Sequence, residues 1–245
     1  MQKMMDMHQL EAFGVYRAER VPSGIRLDEL LKKETCLLFL DQYRKDITAP
    51  NLAVAASLFM KQYARKVVAS TLYSLGVYNC TLSLPIQACT FSKERKLCVQ
   101  EGMCQWQEWV QSEREAWRET VLRDLFSSHV TPMIDALHHT TGLSSAILWE
   151  NVAIRVNSVY RKTLASEENE ERRKQLASDF YFLKQADGTL FRLKRNPMKS
   201  YLKLANDGSD PYRRTCCLYH RLKEDKEGIG YCGNCPIRKS VSYKK

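Results

Sequence analysis

Asn51-Leu52-Ala53-Val54-Ala55-Ala56-Ser57-Leu58-Phe59-Met60-Lys61-Gln62-Tyr63-Ala64-Arg65-Lys66-Val67-Val68-Ala69-Ser70-Thr71-Leu72-Tyr73-Ser74-Leu75 decides how the chain is organised. Leu52, Ala56, Phe59, Tyr63 and Val67 recur at spacings of three or four residues. Ala53, Met60, Ala64, Val68, Leu72 and Leu75 form a second apolar stripe. A helix that is apolar on two faces must be covered on several sides, so this segment predicts a central helix. Pro50 and Asn51 suit its start, and Gly76 its end.

Helical periodicity continues on both sides of it. Residues 28–45 predict a helix with Leu27, Leu30, Leu31, Leu38 and Tyr43 on or near one face. Residues 105–126 predict another, lined by Trp106, Trp109, Val110, Trp117, Val121 and Leu125. Because the opposite face is heavily charged, these rings read as core and not as a ligand platform. A helix over 131–139 should end near Gly142. The next starts at Ser144 or Ser145 and carries Ile147, Leu148, Val152, Val156 and Tyr160. The mixed charges of 167–174 suit a solvated helix face.

Strands are fewer. Residues 82–90 and 96–100 flank the polar turn Ser92-Lys93-Glu94-Arg95. Residues 181–184 and 189–193 flank Asp187-Gly188, a pair suited to a tight hairpin. Residues 9–20 read as a strand or an irregular arm. The expected fold is α+β: a predominantly helical domain over 1–205 with short antiparallel hairpins, and a cysteine-rich segment over 206–245 packed on it.

Of the 245 residues, 44% are hydrophobic and 27% charged, which excludes a disordered or collagen-like chain. The longest uncharged apolar stretch is 52–60, far short of the about 20 residues of a membrane span. No apolar signal core follows Met1. The expectation is a soluble, cytoplasmic protein.

The net charge of +10 is unevenly placed. Residues 192–245 hold 14 Lys/Arg against 5 Asp/Glu, a net of +9. That end should face something acidic: an anionic ligand, a nucleic acid or an acidic protein. It also holds four of the nine cysteines. An odd cysteine count without a secretion signal argues against a disulfide framework and for a metal.

The cysteines lie in Arg213-Arg214-Thr215-Cys216-Cys217 and Cys232-Gly233-Asn234-Cys235-Pro236, a C-C-x14-C-x2-C pattern. Two residues between Cys232 and Cys235 make a tight turn that aims both sulfurs at one metal. Neighbouring Cys216 and Cys217 point to different sides of an extended chain. They converge only in a bend, or reach different atoms of a larger object such as a two-iron cluster. The spacing therefore favours iron–sulfur, with structural zinc second and dithiol redox chemistry third. His220 could replace a cysteine as ligand, whereas His138 and His139 suit a helix end. Cys36, Cys80, Cys89, Cys98 and Cys104 read as buried apolar residues.

These residues resemble the FhuF-type ferric-siderophore reductases. The likeness rests on Arg-Arg-Thr-Cys-Cys, a basic linker and Cys-x2-Cys-Pro within 210–239. Thr141-Gly142-Leu143-Ser144 and Leu148-Trp149-Glu150-Asn151, within 141–157, support it. The resemblance implies a [2Fe–2S] cluster on Cys216, Cys217, Cys232 and Cys235 in a cytoplasmic protein. It implies one-electron reduction of an imported ferric siderophore of hydroxamate, catecholate or citrate type, releasing Fe(II). The fourteen residues between the cysteine pairs exceed the family spacing. The excess falls in Lys223-Glu224-Asp225-Lys226-Glu227-Gly228, where lengthening a surface loop costs little.

Arg213, Arg214 and Arg238 would raise the cluster potential and dock an anionic substrate or an acidic donor. Neither a G-x-G-x-x-G fingerprint nor a P-loop is present, so the electron must come from outside: a ferredoxin, a flavoprotein or reduced flavin. Two other readings compete. One is a zinc-stabilised basic nucleic-acid-binding module. The other is an iron–sulfur electron carrier or regulator with no substrate of its own. Adjacent cysteines and the lack of a base-reading element argue against nucleic acid as partner.

Overall fold

The computed structural model describes residues 5–18, 23–109, 113–204, 212–222 and 230–237. A short helix α1 (Met7–Glu11) turns into strand β1 (Val15–Ala18). Strand β2 (Gly24–Arg26) and a 3-10 turn (Glu29–Leu31) lead into α2 (Lys33–Asp46). The central rod is α3 (Leu52–Ala64), a π-helical stretch (Arg65–Ala69) and α4 (Ser70–Tyr78), continuous from end to end. Asn51 caps it, its side-chain oxygen accepting from the Val54 amide at 3.0 Å. Val54 to Met60 are buried without interruption, so α3 is enclosed even more fully than two stripes require.

Four short strands follow: β3 (Cys80–Leu82), β4 (Cys89–Ser92), β5 (Leu97–Gln100) and β6 (Trp106–Glu108). One sheet runs β1-β5-β4-β2, with β1 parallel to β5 (Val15 opposite Leu97) and the other pairs antiparallel. The β4–β5 hairpin turns through 93–96, with Arg95 at φ 61°. The second sheet pairs β3 with β6.

Then come α5 (Arg114–Arg123), a second π-helical stretch (Asp124–Val130), α6 (Thr131–Thr141), α7 (Ser145–Ser166) and α8 (Glu170–Gln185). Gly142 at φ 69° ends α6 and Ser144 caps α7, as their residue types require. Helix α3 packs on α2, α6 and α7. Asp179 of α8 is buried between Arg114 (2.7 Å) and Arg118 (3.1 Å), locking α5 to α8. The fold is a predominantly helical α+β domain. No described helix is long and apolar enough to cross a membrane.

Three expectations are corrected. The central helix ends at Asn79, which takes the left-handed conformation (φ 50°), and not at Gly76. Gly76 lacks a side chain for a packing reason: a Cβ there would meet Leu176 of α8 at 2.7 Å. Trp106 lies on a strand opposite Leu82, and helix begins only at Arg114, so the tryptophan spacing was a coincidence of sequence. No hairpin forms at Asp187-Gly188. Residues 181–184 complete α8, whose Leu176, Phe180 and Leu183 are buried at helical spacing. Asp187 instead accepts from the Thr189 amide at 2.8 Å and opens a 3-10 turn, Thr189–Phe191. Asn196 caps α8 by donating to Leu183 O (2.8 Å) and Ala186 O (3.0 Å). The stretch 223–228, expected as a surface loop, lies outside the described residues, as do residues 206–211.

One buried group gives the fold a pH dependence. The Tyr63 hydroxyl donates to His129 O (3.0 Å) and meets His129 Nδ1. Burial pushes the His129 pKa from 6.5 down to about 3. The unfolded chain takes up this proton near pH 6.5 and the folded chain only near pH 3. The stability is therefore whole above pH 6.5 and should fall by up to about 5 kcal/mol as pH drops to 3. Denaturant titrations across this range should show the decline, shallower in His129→Gln. An equal slope in the variant contradicts the assignment.

Candidate metal centre

Ser57 on α3 and Glu150 and Asn151 on α7 are buried side by side under the cysteine segment. The Ser57 hydroxyl donates to Cys217 O at 2.9 Å. The Asn151 amide donates to Ser57 O and Oγ, both at 3.0 Å, and its oxygen accepts from Arg213 Nη2 at 2.8 Å. The Glu150 carboxylate accepts from the backbone amides of Arg214 and Thr215, each at 2.7 Å, and from the Thr215 hydroxyl. Arg213 Nε stands 3.7 Å from the same carboxylate. The Arg213 amide donates to Asn234 O at 2.9 Å, tying the two cysteine stretches together. Leu-Trp-Glu-Asn and Arg-Arg-Thr-Cys-Cys, two stretches singled out by the sequence, thus face one another.

Arg213 is only 5% exposed, its guanidinium turned inward to Glu150, Asn151 and Thr215 O (3.2 Å). The Arg214 side chain is exposed. Arg238 lies outside the described residues.

The cysteines follow from these anchors. Leu218, left-handed at φ 63°, bends the chain just after Cys217 and returns its amide to Cys216 Sγ at 3.4 Å. On the other stretch the Cys235 amide donates to Cys232 O at 2.9 Å, closing the tight C-x2-C turn. Cys217 Sγ and Cys232 Sγ stand 3.6 Å apart. Two thiolates on one tetrahedral metal, each about 2.3 Å from it, stand about 3.8 Å apart.

Cys217 is poised to ionise. The contact with the Cys232 thiol, the Lys61 ammonium 3.7 Å away, the Tyr219 amide and Arg213 hold its pKa below the ordinary thiol value against the effect of burial. The same contact, then burial, pushes Cys232 up. Burial raises Cys216, whose sulfur also has His220 Nδ1 at 3.4 Å. Tyr219 lies under Lys61 (4.9 Å) and Tyr231 beside His220 (5.7 Å), flanking the sulfurs with rings. Among the described residues, no group of three or more His, Cys, Asp or Glu side chains is gathered closely enough to hold a single metal ion. Cys36, Cys80, Cys89 and Cys98 are buried and Cys104 half-buried, their thiols raised chiefly by burial and so unreactive.

Sequence reasoning missed Ser57, Lys61 and the role of Glu150. Only the carboxylate inside the apolar run 147–153 gave a sign.

A family model described as "Ferric iron reductase FhuF-like transporter" matches residues 57–210, more than half of the chain. The matched span begins at Ser57, holds Lys61, Glu150 and Asn151, and stops ahead of Arg213 and the cysteines. A search of curated proteins finds no match. The anchoring residues Ser57, Lys61, Glu150 and Asn151 therefore lie within the matched span, and the chain belongs to the FhuF-like ferric iron reductase family.

Proposed function

We propose that this protein is a cytoplasmic ferric-siderophore reductase, with a [2Fe–2S] cluster held by Cys216, Cys217, Cys232 and Cys235. The observation that carries this reading is the pair Cys217–Cys232, 3.6 Å apart, drawn from both motif halves and with Lys61 beside it. That spacing suits two thiolates on one metal, and a neighbouring pair of cysteines can serve a group with more than one metal atom. A bound [2Fe–2S] cluster supplies one electron at a time.

The chain's own residues prepare the site. Ser57, Glu150 and Asn151 fix the backbone that carries the sulfurs, and Lys61 and Arg213 place positive charge where thiolates need it. Tyr219 and Tyr231 flank the sulfurs with rings. The substrate iron changes from Fe(III) to Fe(II) on gaining one electron from an external ferredoxin, flavoprotein or reduced flavin. Hard ferric iron is held tightly by oxygen ligands and ferrous iron weakly, so this one electron is enough to release the metal.

Chemically reduced protein, mixed anaerobically with ferric chelates, should regain its oxidised colour while a ferrous chelator captures Fe(II). A reduced spectrum that survives a broad panel of hydroxamate, catecholate and citrate complexes contradicts the reductase reading.

A further inference from the structure

We infer that the cavity between the α1–β1 turn, the π-helical stretch after α3 and the outer half of α7 binds the ferric chelate, and that it selects chelates of net negative charge. The inference rests on the reductase reading for the metal it names. The cavity has a volume of about 500 Å³, within the range of small-molecule sites. Arg65, Arg155 and Lys162 line it, with Phe13 and Tyr73 as an aromatic wall and Ser158 as a hydroxyl donor. None of its described lining residues is acidic.

Arg155 carries the argument. Elsewhere in the described fold, buried guanidinium groups have carboxylates: Arg114 and Arg118 share Asp179, and Arg213 has Glu150. Arg155 is half-buried and has no hydrogen-bond or ion-pair partner among the described residues. Burial, then the like charges of Arg65 and Arg213, hold its pKa below the ordinary value. An uncompensated, partly desolvated cation is unfavourable in the empty cavity, and a bound anion offsets that cost. Arg65 spends one donor on Ala12 O (3.0 Å), which pins the α1–β1 turn, and keeps others for a ligand.

The near edge of the cavity, at Arg65 and Arg155, is one helical turn from residues that hold the cysteine segment. Lys61 touches Cys217 Sγ, and Arg65 stands one helical turn further along the rod, about 6 Å of rise. On α7, Arg155 lies one turn beyond Asn151, which holds Arg213. None of the described lining residues is a cysteine, so a chelate seated here does not displace the sulfurs.

Ferric citrate and tricatecholate complexes are anions, whereas a ferric trihydroxamate is uncharged. Guanidinium groups recognise carboxylate and phenolate oxygens through charge and paired N–H donors. The test uses gallium(III), which has the charge of Fe(III) and is not reduced. Calorimetric titration of the full chain with gallium citrate, gallium tricatecholate and a gallium trihydroxamate reads binding alone. The two anionic complexes should bind, and Arg155→Gln should weaken both by about tenfold or more. Lys162→Gln, at an exposed position, should weaken them less. The uncharged complex should bind more weakly and ignore both substitutions.

Arg155→Gln removes a repelled charge, so its melting temperature should not fall. Equal affinity for charged and uncharged complexes, or affinities unchanged in both variants, overturns the inference. Ferric-chelate reduction undiminished in Arg155→Gln also overturns it while leaving the reductase reading intact. Anionic gallium complexes bound with Arg155 dependence, but no Fe(II) from the ferric ones, support the cavity and contradict the reductase.

Discussion

Glu150→Ala should release the cysteine segment from the helical core. Glu150 is 2% exposed, and its carboxylate satisfies two backbone amides and one hydroxyl beside the buried Arg213 guanidinium. Removing one partner of such a pair costs about 3–5 kcal/mol, because the other charge stays buried and uncompensated. That is a large share of the about 5–15 kcal/mol that holds a typical domain together. The loss should be local first, since Asp179 with Arg114 and Arg118, and the core around α3, are untouched. Far-UV circular dichroism should keep its helical signature while trypsin begins to cut at Arg213 and Arg214. Glu150→Gln keeps the shape and one acceptor oxygen, so its effect should be smaller and of the same sign. A native digestion pattern and native denaturation midpoint in Glu150→Ala contradict the anchoring role.

What the sequence revealed depended on how local each cause was. The central helix was legible because Leu52, Phe59, Tyr63 and Leu72 mark its faces within one segment. The caps at Asn51, Gly142 and Ser144 were legible for the same reason. Gly76 was misread because its partner, Leu176, is a hundred residues away and makes it a packing glycine. The hairpin was misread because Phe180, Leu183, Leu190 and Phe191 supply apolar residues on both sides of Asp187-Gly188. Only the burial of one helical face shows that the first two belong to α8.

At the metal centre the cysteine spacing stood out, since ligand geometry is written into short intervals. Lys61 looked like the polar face of a helix and Arg213 like surface charge. Their actual partners, Cys217 and Glu150, lie 156 and 63 positions away along the chain.

The four clustered cysteines should behave as a set and the other five as bystanders. Serine at Cys217 or Cys232 removes a sulfur from the pair at metal-sharing distance and puts an un-ionised hydroxyl where an iron–sulfur cluster takes a thiolate. Serine at Cys216 or Cys235 breaks the flanking turns' contribution. Each of the four variants should lose the visible absorption of a bound cluster. Cys36→Ser and Cys98→Ser should retain it, because those thiols are buried away from the site. The measurement that bears most directly on the account is metal and sulfide analysis of the unsubstituted protein, prepared anaerobically. The account predicts a reddish-brown protein with iron and acid-labile sulfide in equal amounts, both lost together in the four variants. A colourless protein with stoichiometric zinc and no sulfide contradicts it.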